Sequence, residues 1–248
     1  MTDLSMFRKP ALHFSGGKDS MACLYLLRDQ LDRIDVYWVN TGDTNPQLRD
    51  TVDAVRAWVP RFHEVKSDVA AWRAANGMPV DALPAHCTPI GLMYGMSKVR
   101  LSGRFDCCYA NIMEPMHKRM LSDGVDCVIR GTKLCDTGRI PAEGPSELYT
   151  IVLPLRDWSH EDVHRYLQTV GAPVCANYDF GMEGRVPDCA GCTAWWGDNT
   201  PEYLAARAPQ RLGPYLLALQ TVREELRRHT AQLDRQIERG QLLAAIGG

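Results

Sequence analysis

The sequence predicts an α/β fold with a doubly wound, mostly parallel sheet and a C-terminal helical extension. Short apolar runs alternate with segments of helical periodicity, which is typical of parallel sheets with right-handed crossovers. The last part of the chain is rich in Leu, Arg and Glu and reads as helix rather than strand. The 248 residues suffice for one α/β domain with a small appendage.

The N-terminal part supplies three predicted strands. Residues 10–14 form a short strand that stops at two glycines, and from Lys18 onward apolar residues recur at helical spacing. A second strand, 34–40, leads through a polar turn into a helix near Pro46, a residue suited to a first helical turn. Residues 62–67 are a weaker third strand.

The C-terminal part continues the alternation. Residues 125–131 and 148–155 are predicted strands. The segment after Ser159 has Asp162 at the capping-box position and Gly171 past its end, and therefore predicts a capped helix.

The composition fits an ordinary globular protein. A formal net charge of -2 gives no general attraction to nucleic acid or anionic membranes, so any polyanion site has to be a local patch. Neither a membrane-spanning stretch nor a signal-peptide pattern is visible, so we expect a cytoplasmic protein without a membrane partner. Nine cysteines in a reducing compartment indicate metal or redox chemistry, although several are expected to be small buried apolar residues.

The segment Ser15-Gly16-Gly17-Lys18-Asp19-Ser20 lies between a predicted strand and a predicted helix. Ligands of open α/β sheets bind at this end of the strands. The glycines allow the backbone to approach an anion, and the N–H groups that begin the helix favour phosphate. Lys18 adds charge, and Ser15 and Ser20 add hydroxyl groups. The pattern is neither a Walker loop nor GxGxxG, and it predicts an anion site, with a plain glycine turn as the alternative.

Four cysteines form two pairs. Cys107 and Cys108 are adjacent, and Cys189 and Cys192 form the C-x-x-C of DCAGC. A C-x-x-C turn alone fits zinc, a redox dithiol or an iron–sulfur site. Four thiolates satisfy either zinc or a 4Fe-4S cluster. Neighbouring cysteines suit the separated iron corners of a cluster better than one tetrahedral ion, so the cluster is preferred over zinc, and both over free thiols.

These motifs carry resemblances to known families. SGGKDS resembles the SGGxDS signature of the PP-loop ATP pyrophosphatases, which have an adenine nucleotide alpha hydrolase-like fold. The two cysteine pairs resemble the iron–sulfur branch of the adenylylsulfate and phosphoadenylylsulfate (PAPS) reductase family. VLPLRDWSHEDVHRYL, ANYDFGMEGRVPDCAGCT and CCYANIMEPM resemble further segments of that family. The resemblance implies a PAPS reductase-like nucleotide-binding domain with an iron–sulfur site over residues 1–200, followed by a helical extension over 201–248.

The PP-loop resemblance implies cleavage of ATP between the α and β phosphates, with AMP passed to an acceptor. Lys18, Asp19 and Ser20 are the catalytic candidates, and Mg²⁺ with the loop amides would stabilise the leaving pyrophosphate. Asp19 alternatively serves as an acidic residue at a helix N-terminus. The expected nucleotide-binding set consists of the loop and residues at neighbouring strand ends: Ser15, Gly16, Gly17, Lys18, Asp19, Ser20, Asp43, Lys133 and Arg139.

Two members of this set have structural alternatives. Asp43 follows the second strand, where it would contact ribose or Mg²⁺ or simply form a turn. By resemblance, Lys133 and Arg139 contact phosphate or sulfate, and a solvated loop is the alternative. The resemblance likewise implies Cys107, Cys108, Cys189 and Cys192 as the ligands of the cluster.

Three departures separate the chain from sulfonucleotide reductases. It keeps the complete SGGKDS loop, which those enzymes usually carry in degraded form. Its last cysteine is Cys192, so the nucleophile of their C-terminal tail is missing. Asn111-Ile112 stand where an Arg-Lys pair often follows the paired cysteines. In these respects the motif set resembles the ATP pyrophosphatases of DNA phosphorothioation systems.

We therefore expect an ATP pyrophosphatase that serves sulfur transfer onto nucleic acid, with a cysteine desulfurase as sulfur donor. The first alternative is a PAPS or adenylylsulfate reductase or another sulfate-assimilation enzyme. The second is a catalytically silent nucleotide-binding subunit with a redox role. The sequence does not indicate an oligomeric state.

Some residues have less specific expectations. Cys135 is the thiol nearest to Lys133 in sequence, and a buried position is favoured over a role as sulfur acceptor. His86 and Cys87 carry no motif and receive no role. The basic residues near the paired cysteines either line a nucleic-acid path or form a solvated helix face; these are Lys98, Arg100, Arg104, Lys118 and Arg119.

Overall fold

The computed structural model describes residues 3–136, 143–176, 178, 189–196 and 199–246. The chain forms two compact units, which we call the sheet unit (Met1–Asp68 and Ala110–Ala190) and the helical unit (Val69–Tyr109 and Gly191–Gly248). These units do not coincide with the division at residue 200 that the sequence suggested, because an internal segment groups with the C-terminal helices.

Eight strands lie within the described ranges: β1 (Pro10–His13), β2 (Asp35–Asn40), β3 (Phe62–Lys66), β4 (Met78–Val80), β5 (Leu101–Gly103), β6 (Cys127–Ile129), β7 (Gly144–Pro145) and β8 (Thr150–Val152). The α-helices of the same ranges are α1 (Lys18–Leu26), α2 (Pro46–Arg56), α3 (Val69–Asn76), α4 (Pro89–Met93), α5 (Arg104–Cys108), α6 (Glu114–Ser122), α7 (His160–Thr169), α8 (Thr200–Arg207) and α9 (Pro209–Ile246). Short 3₁₀ turns occupy Arg28–Gln30 and Ala85–Cys87, and a π-helical turn occupies Tyr109–Met113.

The sheet unit is built on one sheet whose described strands run in the order β3-β2-β1-β6-β8-β7. Every neighbouring pair is parallel except β7 and β8. The predicted α/β fold with a mostly parallel sheet is thus confirmed, and so is the C-terminal helical extension. The sheet order places the ends of β1 and β6 side by side, which positions the loops that follow them.

Helices cover both faces of this sheet. Leu12 of β1 packs in a core with residues of α1, α2 and α7, whereas its neighbour Ala11 packs in a core with Met116 and Met120 of α6. Successive side chains of a strand point to opposite faces, so a strand buried on both faces reads as a continuous apolar run. This explains why the central strands are uniformly apolar.

The helix signals in the sequence have the expected structural roles. Pro46 begins α2. Ser159 caps α7 through a reciprocal pair of hydrogen bonds, in which its Oγ accepts from Asp162 N (3.1 Å) and an Asp162 oxygen accepts from Ser159 N (2.9 Å). Gly171, just past the end of α7, has a φ of +63°.

The helical unit has a smaller core. Its strands β4 and β5 are parallel, and Val80 and Leu101 pack with Cys87 and with Val222 of α9. The predicted apolar stripe of the tail is therefore partly buried, at Val222 and Leu226. Within the described residues, none of the helices has both the length and the apolar composition that crossing a membrane requires.

Candidate functional site

The glycine loop connects β1 to α1 at the carboxyl end of the strand. Gly16 has a φ of +80°, and a Cβ there would lie 2.5 Å from Leu48 Cδ1 and 3.1 Å from Val52 Cγ2. Any other residue would be strained in backbone and would collide with α2. This glycine therefore lets the chain turn directly above the packed helix, as the motif predicted.

Hydrogen bonds within the loop hold its shape. Ser15 N donates to Ser20 Oγ (3.2 Å), and Gly17 N donates to Ser15 Oγ (3.3 Å). Ser20 Oγ donates to Gly17 O (2.9 Å), and Lys18 N donates to the Tyr178 hydroxyl oxygen (3.0 Å). Tyr178 belongs to the ANYDFG segment that carried the family resemblance, but the sequence gave it no role. Three loop amides therefore donate to protein oxygens, and an anion would have to share or replace these partners.

A buried ionic network lies beneath the loop. Lys18 and Lys133 are each only 1% exposed. Asp19 Oδ1 accepts from both ammonium groups, at 3.1 Å from Lys18 Nζ and 2.6 Å from Lys133 Nζ. Lys133 Nζ also lies 2.9 Å from Asp136 Oδ1, and Lys18 Nζ lies 3.0 Å from His160 Nδ1. Two cations and two carboxylates thus balance one another at the end of the sheet.

The carboxylates keep Lys133 charged despite its burial. Burial by itself lowers the pKa of this ammonium, but hydrogen bonds and charge from Asp19 and then Asp136 raise the pKa above its usual value. The sequence suggested Lys133 as a phosphate contact, and the structure places it on Asp19. Arg139, its expected companion, lies outside the described residues.

A cavity of about 320 Å³ opens beside the loop. Its lining comes from the loop and from the ends of β1 and β6: His13, Ser15, Asp19, Ser20, Met113, Arg130, Gly131, Thr132 and Asp136. Carboxylate and hydroxyl oxygens of this kind suit Mg²⁺ and a hydrated phosphate. Arg130 is the cation among these lining residues, because Lys18 and Lys133 lie in the buried network behind them.

The sequence did not single out three residues of this cavity. A Cβ on Gly131 would lie 2.7 Å from the carbonyl carbon of Asp19, so only glycine allows the loop after β6 to approach α1 this closely. His13 Nε2 and Arg130 Nε are buried and have no hydrogen-bond partner within the described residues. Their positions after β1 and at the end of β6 were the available signal, because ligands gather at these strand ends.

His13 contributes no charge to the cavity at neutral pH. Burial, with smaller effects of the Arg130 and His117 charges, lowers its pKa to about 3. The ring is therefore a neutral hydrogen-bonding group.

Asp43 lies on the loop after β2 and is not among the residues that line this cavity. Its backbone carbonyl accepts from Ala190 N (2.9 Å), and its side chain is half-buried. The structure thus gives this residue a turn contact, and its proposed contact with ribose or Mg²⁺ stays a prediction.

Three of the four predicted cluster ligands belong to the helical unit. Cys107 and Cys108 end α5, and Cys192 lies in the loop that precedes α8. Burial raises the pKa of Cys192 to about 11, and the nearby thiols of Cys108 and Cys107 raise it further, so the three side chains lie near one another. Cys189 belongs to the sheet unit, where its thiol donates to Thr41 Oγ1 (3.3 Å).

The spacing of these thiols can be compared with the needs of a metal. Among the described residues, two sets of three metal-ligating side chains have all their ligand atoms within 4.8 Å of one another, and neither contains Cys107, Cys108 or Cys192. Tetrahedral zinc with Zn–S bonds of about 2.3 Å needs sulfur atoms about 3.8 Å apart. The three thiols are therefore too widely spaced for one zinc ion, and a larger cluster fits this donor set better.

The loop around Cys192 is firmly held. Arg73 Nη1 donates to Gly191 O (3.3 Å), and Thr193 Oγ1 donates to Pro79 O (2.6 Å). Trp195 has a φ of +66°, which is rare for a large side chain. The Arg104 guanidinium lies 4.0 Å from the centre of the Trp195 ring. Two cations thus lie at the cysteine loop, which favours thiolate charge there.

The basic residues near the paired cysteines do not form an unpaired basic surface. Arg104 pairs with Asp81 (2.9 Å), Lys118 with Glu114 (2.9 Å) and Arg119 with Asp123 (2.8 Å). Arg100 donates to the carbonyl of Ala75. Lys98 is exposed. The described contacts therefore favour solvated, internally paired side chains over a continuous nucleic-acid path.

Cys135 was expected to be buried, and this expectation is wrong. Its side chain is exposed, because the polar loop after β6 keeps it at the surface. The thiol donates to Trp158 O (3.4 Å), and its sulfur lies within 4.8 Å of ligand atoms of Asp136 and His160. An exposed thiol therefore adjoins the ionic network of the glycine loop.

Comparisons with known proteins agree with the sheet unit described above. Residues 9–81 match the family model described as phosphoadenosine phosphosulfate reductase domain. The fold is similar to that of a phosphoadenylyl-sulfate (PAPS) reductase from Candida auris, solved as a phosphate complex. The TM-score is 0.52 at 17% identity, over 72% of this chain and 80% of that one. No curated protein sequence matches significantly. The resemblance to the PAPS reductase family is thereby confirmed, on the family model for residues 9–81 and on the fold.

Proposed function

We propose that this protein is an ATP pyrophosphatase that adenylates an acceptor and serves sulfur transfer onto nucleic acid. The observation that carries the proposal is the complete SGGKDS loop, folded at the end of β1 beside a cavity that Asp19, Ser20 and Arg130 line. The family comparisons support the coarser statement, a nucleotide-binding enzyme related to sulfur metabolism. ATP as substrate and nucleic acid as acceptor are the finer parts of the proposal.

In the proposed reaction, an acceptor oxygen attacks the α-phosphorus of ATP. The bond from that phosphorus to the bridging oxygen breaks, pyrophosphate leaves with the electron pair, and an adenylated acceptor remains. A sulfur nucleophile then displaces AMP from the acceptor. Bound Mg²⁺ would supply Lewis-acid stabilisation of the pyrophosphate, and the cavity carboxylates of Asp19 and Asp136 fit such an ion.

The chain's own groups divide this work. Arg130 supplies the cation of the cavity, and the hydroxyl groups of Ser15 and Ser20 are donors to phosphate oxygens. Lys18 and Lys133 hold the Asp19 carboxylate from behind. In this arrangement the two lysines are positioning residues, whereas Arg130, Ser20 and Asp19 reach the nucleotide.

We further propose that Cys107, Cys108, Cys189 and Cys192 hold a 4Fe-4S cluster. The wide spacing of the three thiols in the helical unit and the cations Arg73 and Arg104 at their loop support this assignment. The cluster's four thiolates carry negative charge, which these cations would offset. A cysteine desulfurase is the proposed sulfur donor, and the exposed thiol of Cys135 is a surface to which sulfur could be delivered.

The test begins with calorimetric binding of ATP, adenylylsulfate and PAPS to anaerobically purified protein with Mg²⁺. We expect ATP to bind tightest, and Arg130→Gln to weaken it about tenfold or more, since a charged hydrogen bond contributes about 1.5–3 kcal/mol. Arg165→Gln is the matched control, because Arg165 is exposed on α7 and pairs only locally with Asp162. Tighter binding of a sulfonucleotide would instead support the reductase alternative.

Turnover separates the remaining alternative. Pyrophosphate release is measured with DNA or RNA as acceptor and a cysteine desulfurase present. The proposal expects release that Arg130→Gln reduces and Arg165→Gln leaves unchanged. If ATP binds but pyrophosphate never forms, the silent nucleotide-binding subunit becomes the better description.

A further inference from the structure

A second cluster of metal-ligating side chains lies in the helical unit, on cysteine and histidine residues to which the sequence gave no role. His86 and Cys87 come from the 3₁₀ turn Ala85–Cys87, and Glu225 comes from α9. Their ligand atoms all lie within 4.8 Å of one another. Cys87 is fully buried and His86 is 8% exposed. Glu225 Oε2 lies 2.7 Å from His86 Nε2 and 3.5 Å from Cys87 Sγ.

A fourth donor stands beside this group. His229 follows Glu225 by one helical turn on α9, so the two side chains share a face of the helix. The rings of His229 and His86 have their centres 5.7 Å apart. One thiol, two imidazoles and one carboxylate thus converge from two segments distant in sequence.

The distances can be compared with those of a tetrahedral zinc site. Zn–S bonds of about 2.3 Å and Zn–O bonds of about 2.0 Å place sulfur and oxygen about 3.5 Å apart. The Cys87–Glu225 separation of 3.5 Å agrees with this value. The His86–Glu225 separation of 2.7 Å is a hydrogen bond, and metal ligation would open it by about 0.7 Å. A small movement of the Glu225 carboxylate on its flexible side chain suffices.

We propose that His86, Cys87, Glu225 and His229 bind a zinc ion that ties α9 to the Ala85–Cys87 turn. Mixed thiolate, imidazole and carboxylate donors are typical of zinc. On binding, the Cys87 thiol proton leaves to solvent and the proton between His86 and Glu225 moves to His86 Nδ1. One thiolate and one carboxylate then neutralise the ion, which is what a buried site requires.

The surroundings set the conditions for binding. Burial, and then the Glu225 charge, raises the pKa of Cys87 to about 11, so the metal must displace a proton and binding weakens as pH falls. Arg228 Nη1 lies 3.7 Å from Glu225 Oε2, and its guanidinium also donates to Met96 O. Ser97 Oγ lies 4.0 Å from Cys87 Sγ. The Met96 carbonyl thus holds Arg228 toward solvent, on the far side of the carboxylate.

The experiment measures zinc in the full chain, purified anaerobically, equilibrated with Zn²⁺ and desalted. We expect one zinc ion per chain to be lost in Cys87→Ser and zinc affinity to fall about tenfold or more in Glu225→Gln. Glu224→Gln is the matched control, because it makes the same change at the exposed neighbouring position of α9. Circular dichroism of each variant shows whether it is folded, and Glu225→Gln preserves shape if Cys87→Ser does not fold.

Cobalt distinguishes this site from the four cysteines of the proposed cluster. Co²⁺ titration is expected to give a thiolate charge-transfer band that Cys87→Ser abolishes and Cys192→Ser retains. Zinc should also raise the melting temperature of wild type but not that of Glu225→Gln. Equal zinc content and equal Co²⁺ spectra in wild type, Cys87→Ser and Glu225→Gln would overturn the proposal and leave a hydrogen-bonded cluster without metal.

Discussion

The Lys133 ammonium lies 2.6 Å from Oδ1 of Asp19, a residue 114 positions earlier in the chain. The same oxygen accepts from Lys18 Nζ, so one carboxylate lies between two buried cations. This contact joins the loop after β6 to the start of α1 and fixes the cavity wall.

Replacing this carboxylate should cost much stability. Asp19→Asn leaves two buried ammonium groups facing a neutral amide, and breaking a buried pair costs about 3–5 kcal/mol. Asp136→Asn is the matched control, because Lys133 then keeps Asp19 and the loss should be smaller. Urea denaturation gives both free energies of unfolding. Equal, small losses would mean that water screens the network.

The pH dependence of stability should report His13. Its folded pKa of about 3 lies below the ordinary value of 6.5, so between these values the unfolded chain binds more protons. Stability therefore rises as pH rises through this window, is fully present above about pH 6.5, and is lost as pH falls toward 3. The slope from this group is at most about 1.4 kcal/mol per pH unit.

His13→Gln should remove that part of the slope. The measurement is urea denaturation of both proteins at several pH values from 4 to 8. His229→Gln is the control, because His229 is exposed on α9. Parallel stability curves for wild type and His13→Gln would show that the His13 ring is as solvated as in the unfolded chain.

Gly131 should not tolerate a side chain. Its Cβ would lie 2.7 Å from Asp19 C and 3.0 Å from Ser20 N, which are backbone atoms that cannot move aside singly. We expect Gly131→Ala to destabilise the protein by about 1–3 kcal/mol and to weaken nucleotide binding. Gly213→Ala, which meets nothing within 4 Å, should be neutral or stabilising because it lies in helix α9. Thermal melts and ATP calorimetry on both variants check this.

Cys135 should be the first thiol to react with an alkylating reagent. It is exposed, Cys108 is half-buried and the other seven cysteines are buried. Brief treatment with iodoacetamide followed by peptide mass spectrometry should find the label at Cys135, and Cys135→Ser should remove the fast phase. Faster labelling of Cys107 or Cys192 would mean that the helical unit opens readily.

The cluster assignment predicts a coloured protein. Anaerobically purified wild type should contain iron and sulfide and be brown, and Cys107→Ser or Cys192→Ser should lose the colour. Cys23→Ser is a control thiol, buried in the sheet core on α1. A colourless wild type whose bound zinc depends on Cys107 and Cys192 would contradict the cluster.

The sequence by itself determined the fold class and the order of the central elements. Apolar runs such as 34–40 are buried on both faces, and this pattern depends only on local residue order. Pro46 and the Ser159–Asp162 capping box mark helix starts for the same local reason. The weak strands β4, β5 and β7 were not recognised, because two or three residues carry no periodicity.

Only the tertiary structure decided the partners of the charged and thiol groups. The sequence suggested Lys18 and Lys133 for phosphate, and folding places both on Asp19, since buried charges need opposite charges nearby. It exposed Cys135 and brought Glu225 to His86 and Cys87, from 139 and 138 positions away. Such pairings depend on which chain segments meet in space, and residue spacing along the chain does not contain that information.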